Sequence, residues 1–114
     1  LLFVRSQLVL QSRLAGAAPP LDGVTVSFDG PAIVSAEARR ARDLGFGGKL
    51  LIHPRQVAPA QSVFQPSQAD YDWALSVLAA VADSQSAVKL DGAMIDLPVI
   101  KRAERIKQDF ESLA

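Results

Sequence analysis

Gly45-Phe-Gly-Gly-Lys-Leu-Leu-Ile-His-Pro-Arg-Gln-Val57 decides the fold of this chain. Gly45 stands where a helix stops, because glycine accepts the left-handed backbone that closes helices. Lys49-Leu-Leu-Ile52 is a short apolar run, the pattern of a strand covered on both faces in a parallel sheet. His53-Pro54 is an abrupt exit, since proline cannot donate to a ladder. Enzymes of alternating strand and helix keep their chemistry at such strand ends.

Upstream, Gly30-Pro31 opens a helix over 31–44, with proline at the first helical position, where its missing N–H does no harm. Val34, Ala38, Ala41 and Leu44 share one face of it. Asp22-Gly-Val-Thr-Val-Ser-Phe28 reads as a strand rich in β-branched residues. Residues 2–15 read as a helix stopped by Gly16. Its apolar residues, from Leu2 and Phe3 to Leu14, cover more than one stripe and call for burial on more than one side.

Downstream, 56–63 reads as a short helix, and Ser67-Gln-Ala-Asp70 as a capping box ahead of a helix over 68–82. Ala74, Val77, Leu78 and Val81 form its stripe. Residues 83–89 read as a polar loop, and Leu90-Asp-Gly-Ala-Met94 as a turn with some strand character. In the last helix, with Pro98 near its start, Val99, Ala103, Ile106 and Phe110 make the apolar edge.

Strand, helix, strand with short connectors predicts a right-handed βαβ unit. Two strands cannot cover both edges of a sheet, so the expectation is a slice of a larger α/β sheet or barrel with much apolar surface exposed. An apolar helix at residue 1 and the absence of an initial Met add the expectation that further sequence lies upstream.

Composition bounds the function. A chain of 114 residues supports one modest core, and 49% hydrophobic content argues against wholesale disorder. Zero net charge and a pI near 6.8 give no footprint for nucleic acid or an anionic membrane. Arg39, Arg40 and Arg42, and Lys101, Arg102, Arg105 and Lys107, read as solvated helix faces. The absence of cysteine excludes disulfides and thiolate metal sites and fits a cytoplasmic protein. No apolar run is long enough to span a bilayer, and Leu1-Leu-Phe-Val4 is not a signal peptide.

A family resemblance rests on stretches found here in a familiar order. They are Arg5-Ser6, Asp22-Gly-Val24, Phe28-Asp29, Ala38 through Lys49, Ile52-His-Pro54, Gln56, Phe64-Gln-Pro-Ser67 and Asp91-Gly-Ala-Met-Ile-Asp96. Together they resemble the C-terminal part of the citrate lyase β-subunit-like proteins, within the HpcH/HpaI aldolase superfamily. The resemblance implies an α/β fold: the C-terminal portion of a (β/α)8 TIM barrel, about strands seven and eight with their helices over 1–82, and a lid extension over 83–114. It implies a carbon–carbon lyase acting on a CoA-linked or free oxo- or hydroxy-acid substrate, assembled as a trimer or hexamer. Mg2+ is the implied cofactor, held by a Glu and an Asp on earlier strands with no counterpart in this chain, so the chain alone is expected to be inactive. Two other readings stay open. One is a truncated, non-catalytic fragment retaining only oligomer interfaces; the other is a sugar-acid aldolase of the HpaI type, which generally lacks the Met94-Ile-Asp96 extension.

The candidate residues each carry two readings. The resemblance gives Asp96 a catalytic role in moving a proton at the thioester, in the site of a neighbouring subunit. Its place ahead of Leu97-Pro98 also makes it a helix N-cap. His53, the sole histidine, is a substrate-binding candidate at a strand's carboxyl end or simply the turn that fixes the exit. Asp29 is a second substrate-binding candidate or a cap for the helix at Pro31; many relatives have another acidic residue where this chain has Gly30. Lys49 is expected at the opposite, amino end, and Trp73 in packing.

Overall fold

Gly45 ends its helix with φ 107°, in the left-handed region. A Cβ there would also lie 2.7 Å from Val9 Cγ1, so the position is closed to other residues on two grounds. At Gly47 a Cβ would come within 2.9 Å of Pro19 Cβ. The glycines therefore let the chain turn sharply beneath the first helix and the Pro19 connector.

The computed structural model describes residues 1–27, 30–83, 88–90 and 92–113, and its contacts divide the chain into two units, Leu1–Phe64 and Gln65–Ala114. The third long helix groups with the last one in the second unit.

In the first unit, α1 (Leu2–Leu14) is followed by β1 (Leu21–Asp22), α2 (Pro31–Leu44), β2 (Gly48–Lys49), a 3-10 turn (Pro54–Gln56) and α3 (Val57–Phe64). β1 and β2 are parallel, with Leu21 opposite Gly48 and Asp22 opposite Lys49. Helix α2 packs on α3, and their buried residues are Val34, Ala38 and Ala41 on one and Ala60 and Val63 on the other. Small residues at this seam let the two helices approach closely. The Arg42 guanidinium donates to Val63 O at 2.8 Å, satisfying a carbonyl at the end of α3.

The strands pair over far less than the sequence predicts. The expected runs 22–28 and 49–52 contribute one ladder residue each, Asp22 and Lys49, the other two being Leu21 and Gly48 just ahead of them, and Phe28 lies outside the described residues. Leu50 and Ile52, expected to be covered on both faces, are 52% and 55% exposed, and Val24 and Val26 are 45% and 83% exposed. Helix α1, expected to be buried on more than one side, has no buried residue. The physical reason is the same in each case: no further strand or helix of the described chain lies against these side chains.

In the second unit, α4 (Gln68–Ala82) and α5 (Leu97–Glu111) flank an antiparallel hairpin of β3 (Val88–Leu90) and β4 (Ala93–Ile95). The capping box forms in full: Asp70 N donates to Ser67 Oγ at 3.1 Å and Ser67 N to Asp70 Oδ2 at 3.0 Å. Ala74, Val77, Ile95 and Ala103 make the core, with Trp73, Leu78, Val81, Val99 and Ile106 packed around it. Most of the stripe residues read from helical spacing thus meet here. Arg102 lies over the Trp73 ring at 5.1 Å, a cation–π contact that agrees with the packing reading. Among the described residues, no helix is long and apolar enough to cross a membrane.

Candidate functional site

The residues after β2 build a rigid exit from the strand. His53 is extended (φ −147°, ψ 142°), and its Nδ1 accepts from Arg55 N at 3.1 Å, capping the 3-10 turn that Pro54 opens. Gln56 N closes the turn on His53 O at 3.0 Å. His53 is half-buried at the rim of an open, largely apolar depression formed with Leu51, Ile52, Pro54 and Val57. The turn-fixing reading of His53 is therefore realised, and the imidazole also borders a surface on which a ligand could rest.

Gln56 has no role in the sequence beyond its place in a motif, yet the structure gives it one. Its side chain is fully buried. Nε2 donates to Thr25 O at 2.7 Å and to Ser27 O at 2.9 Å, while Oε1 accepts from Ile52 N at 2.9 Å. One carboxamide thus satisfies three backbone groups that the shortened ladder leaves without strand partners.

A second polar cluster lies around Lys49, whose side chain is only 2% exposed. Its ammonium donates to Gly23 O at 2.7 Å and stands 3.4 Å from Asp22 Oδ2 and 3.7 Å from Glu37 Oε2. Arg5 pairs with the other oxygen of Asp22 at 3.1 Å, and Thr25 donates its hydroxyl to Glu37. With charges of both signs locked against each other, the cluster joins α1, the strands and α2, a structural role. Among the described residues, no group of three His, Asp or Glu side chains is placed to hold a metal ion, and this cluster is no exception.

Asp96 lies in the second unit, between β4 and α5. Its Oδ1 accepts from Val99 N at 3.2 Å, so the N-cap predicted from sequence is present. The residue is exposed, and its other oxygen has no partner among the described residues. The preceding Ile95 is buried in the core while Met94 is 65% exposed, so the hairpin anchors the carboxylate without enclosing it. Asp29 lies outside the described residues, as does Asp91, five residues before Asp96. His53 and Asp96 belong to different units.

The described groups with displaced titration are elsewhere, on α4 and α5. Tyr71 donates its hydroxyl to Glu111 Oε1 at 2.9 Å, and the hydrogen bond raises its pKa. Lys107 donates to Glu111 at 3.1 Å; this bond, then that from Tyr71, lowers the carboxyl's pKa, while Glu111 raises that of Lys107. Tyr71 also stacks on Phe110, with ring centroids 4.3 Å apart. The group is exposed and fastens two helices together; it has no feature of a reaction site.

No family model matches the chain. Individual relatives do. The citrate lyase subunit beta-like protein of Deinococcus radiodurans is 40% identical over 109 residues, covering 92% of this chain and 38% of that protein. The mitochondrial citramalyl-CoA lyase of Homo sapiens is 32% identical over 108 residues, covering 91% of this chain and 32% of that protein. Among solved structures, CitE from Mycobacterium tuberculosis, in complex with magnesium, acetoacetate and coenzyme A, matches with TM-score 0.83 and 31% identity over 96% of this chain and 40% of that one. The described α/β fold agrees with that structure. Over most of its length the chain is thus a homologue of the citrate lyase β-subunit and citramalyl-CoA lyase proteins, and it spans about a third to two-fifths of the relatives it matches.

Proposed function

We propose that this chain is the C-terminal portion of a magnesium-dependent carbon–carbon lyase acting on CoA thioesters of hydroxy or oxo acids. The observation that carries the reading is the similarity to CoA-thioester lyases along nearly the whole chain. The fold supports it independently. Val24, Val26, Leu50 and Ile52, in the segments that follow the two-stranded parallel sheet, are exposed, as expected for two staves of a (β/α)8 barrel whose remaining strands would cover them. On this reading 1–82 belong to the barrel and 83–114 to a lid, and the enzyme is cytoplasmic and assembles as a homo-oligomer.

Among the described residues, no group fits a magnesium site. The metal ligands of the proposed enzyme come from outside this chain, and no step is assigned to them. What the chain supplies is Asp96. Cleavage passes the substrate's hydroxyl proton to a base from outside this chain, breaks the adjacent C–C bond and leaves a carbonyl product and a thioester enolate, which takes a proton at carbon from a protonated carboxyl. Asp96 delivers that proton, or removes it in the reverse direction, from the mouth of α5 in the site of a neighbouring subunit. Its N-cap bond to Val99 orients the carboxyl and leaves one oxygen for the reaction. His53 and Asp29 contribute to substrate binding.

Magnesium-dependent cleavage of citramalyl-CoA and malyl-CoA tests the reading, with the chain assayed alone and together with a polypeptide supplying the other strands. The chain alone is expected to be inactive and the combination active. Asp96→Ala in the active form should lose at least about a hundredfold of thioester C–H exchange, with KM little changed. Near-normal exchange in that variant would remove the role of Asp96. Cleavage of free sugar acids in preference to CoA thioesters would overturn the substrate class.

A further inference from the structure

We propose that Gln56 is a positioning residue that sets His53 at the carboxyl end of the strand pair. The proposal rests on the reading above, in which His53 contributes to substrate binding. Its basis is the change in pairing partner along the strands. Through Leu50 N, which donates to Asp22 O at 2.9 Å, β2 bonds directly to β1. Two residues later Ile52 N turns instead to Gln56 Oε1, while Thr25 O and Ser27 O accept from Gln56 Nε2. The carboxamide is inserted where a continuous ladder would have run, and it acts as a side-chain peptide unit between two diverging segments.

That insertion has a consequence for His53. The residue is held from its N-terminal side by the bond at Ile52 N and from its C-terminal side by Gln56 N, which donates to His53 O at 3.0 Å. One residue therefore fixes both ends of the His53 backbone, and the imidazole, with Nδ1 on Arg55 N, follows. Gln56 is itself fully buried, so a substrate would not touch it and it acts through the residues it holds. A leucine of similar volume would fill the space but leave the buried Thr25 carbonyl and the part-buried Ser27 carbonyl and Ile52 N–H without their side-chain partner, a costly outcome for polar groups shielded from water.

Amide hydrogen exchange by NMR on the whole chain tests this without any substrate, so an inactive chain does not confuse the result. In Gln56→Leu the Ile52 and Arg55 amides should each exchange roughly tenfold faster or more, the effect of losing one hydrogen bond. The Phe46 amide, bonded to Ala41 O at 3.0 Å, and the Asp70 amide in the second unit serve as unchanged references. Gln56→Glu separates hydrogen bonding from packing. When protonated, its carboxyl can accept from Ile52 N and donate to one carbonyl; when ionised, it faces two carbonyls with no proton to offer. Burial raises the introduced carboxyl's folded pKa above its unfolded value, so protection is present at low pH and lost as pH rises through the folded pKa. An unaltered Arg55 amide in Gln56→Leu, with Ile52 loosened, would reduce Gln56 to a ladder substitute and overturn the positioning role. If Gln56→Leu does not fold, an Arg55 protection factor that does not change with pH in Gln56→Glu would overturn that role equally.

Discussion

The two units solve the same problem, two or three helices against a small sheet, by different means. In Gln65–Ala114 the sheet is a closed hairpin, and its buried Ile95 meets Ala74, Val77 and Ala103 in an apolar core of its own. In Leu1–Phe64 the helical seam between α2 and α3 is apolar, but the strand half is held by polar bridges. Lys49 gathers Asp22, Glu37 and Gly23, and Gln56 gathers Thr25, Ser27 and Ile52. The apolar side chains of those strands and of α1 remain outside. A hairpin satisfies its own inner edges, whereas parallel strands require neighbours on either side. The first unit is the part of the fold that depends on such neighbours.

If polar bridging holds the strand half of the first unit, its removal should have the largest effect. Asp22→Ala leaves a nearly buried ammonium without its main carboxylate and should destabilise that unit by about 3 kcal/mol. Exchange of α2 amides against those of α4 would localise the loss; an equal effect in both units would contradict the contrast. Next, Val77→Ala should cost the second unit about 2 kcal/mol, while Phe3→Ala on α1, 75% exposed, should stay within about 0.5 kcal/mol in urea unfolding. Comparable losses from the two would mean that something covers α1 in solution. Asp96→Ala should cost about 1 kcal/mol by removing the α5 cap, and Asp96→Asn should retain most of it. A variant that keeps the cap yet abolishes proton exchange would separate the two roles of this residue.

The smallest effect concerns pH. Glu111 has its pKa lowered, so its contribution to joining α4 and α5 is full above the unfolded carboxyl value and fades as pH falls through the lower folded one. Tyr71 and Lys107, both raised, contribute below their unfolded values and lose that contribution as pH rises through the folded ones. Because the group is exposed, salt should weaken its ion pair. Glu111→Gln should flatten the acid limb of a thermal-stability profile in the second unit only.

Local signals were legible wherever the chain's own neighbours decide the outcome. Gly45, Pro31, the Ser67–Asp70 box and the cap at Asp96 act within a few residues, and each behaves as its local chemistry predicts. The stripe of α4 was legible too, because a helix face follows from 3.6-residue spacing. Gln56 was not, because a glutamine's sequence position carries no sign that its amide will reach back 29 and 31 residues to two carbonyls. Nor was the boundary at Phe64, since no spacing tells which helix α4 will choose.

Sequence alone therefore settled where helices begin and end, which faces are apolar and which family's motifs the chain carries. Tertiary structure decided how much ladder the strands form, which polar side chains replace it, and that His53 is held from both sides. The division has a physical cause: capping and amphipathic spacing are short-range, whereas pairing and burial depend on which segments stand opposite, and for β1 and β2 most of those partners are not in this chain's described residues.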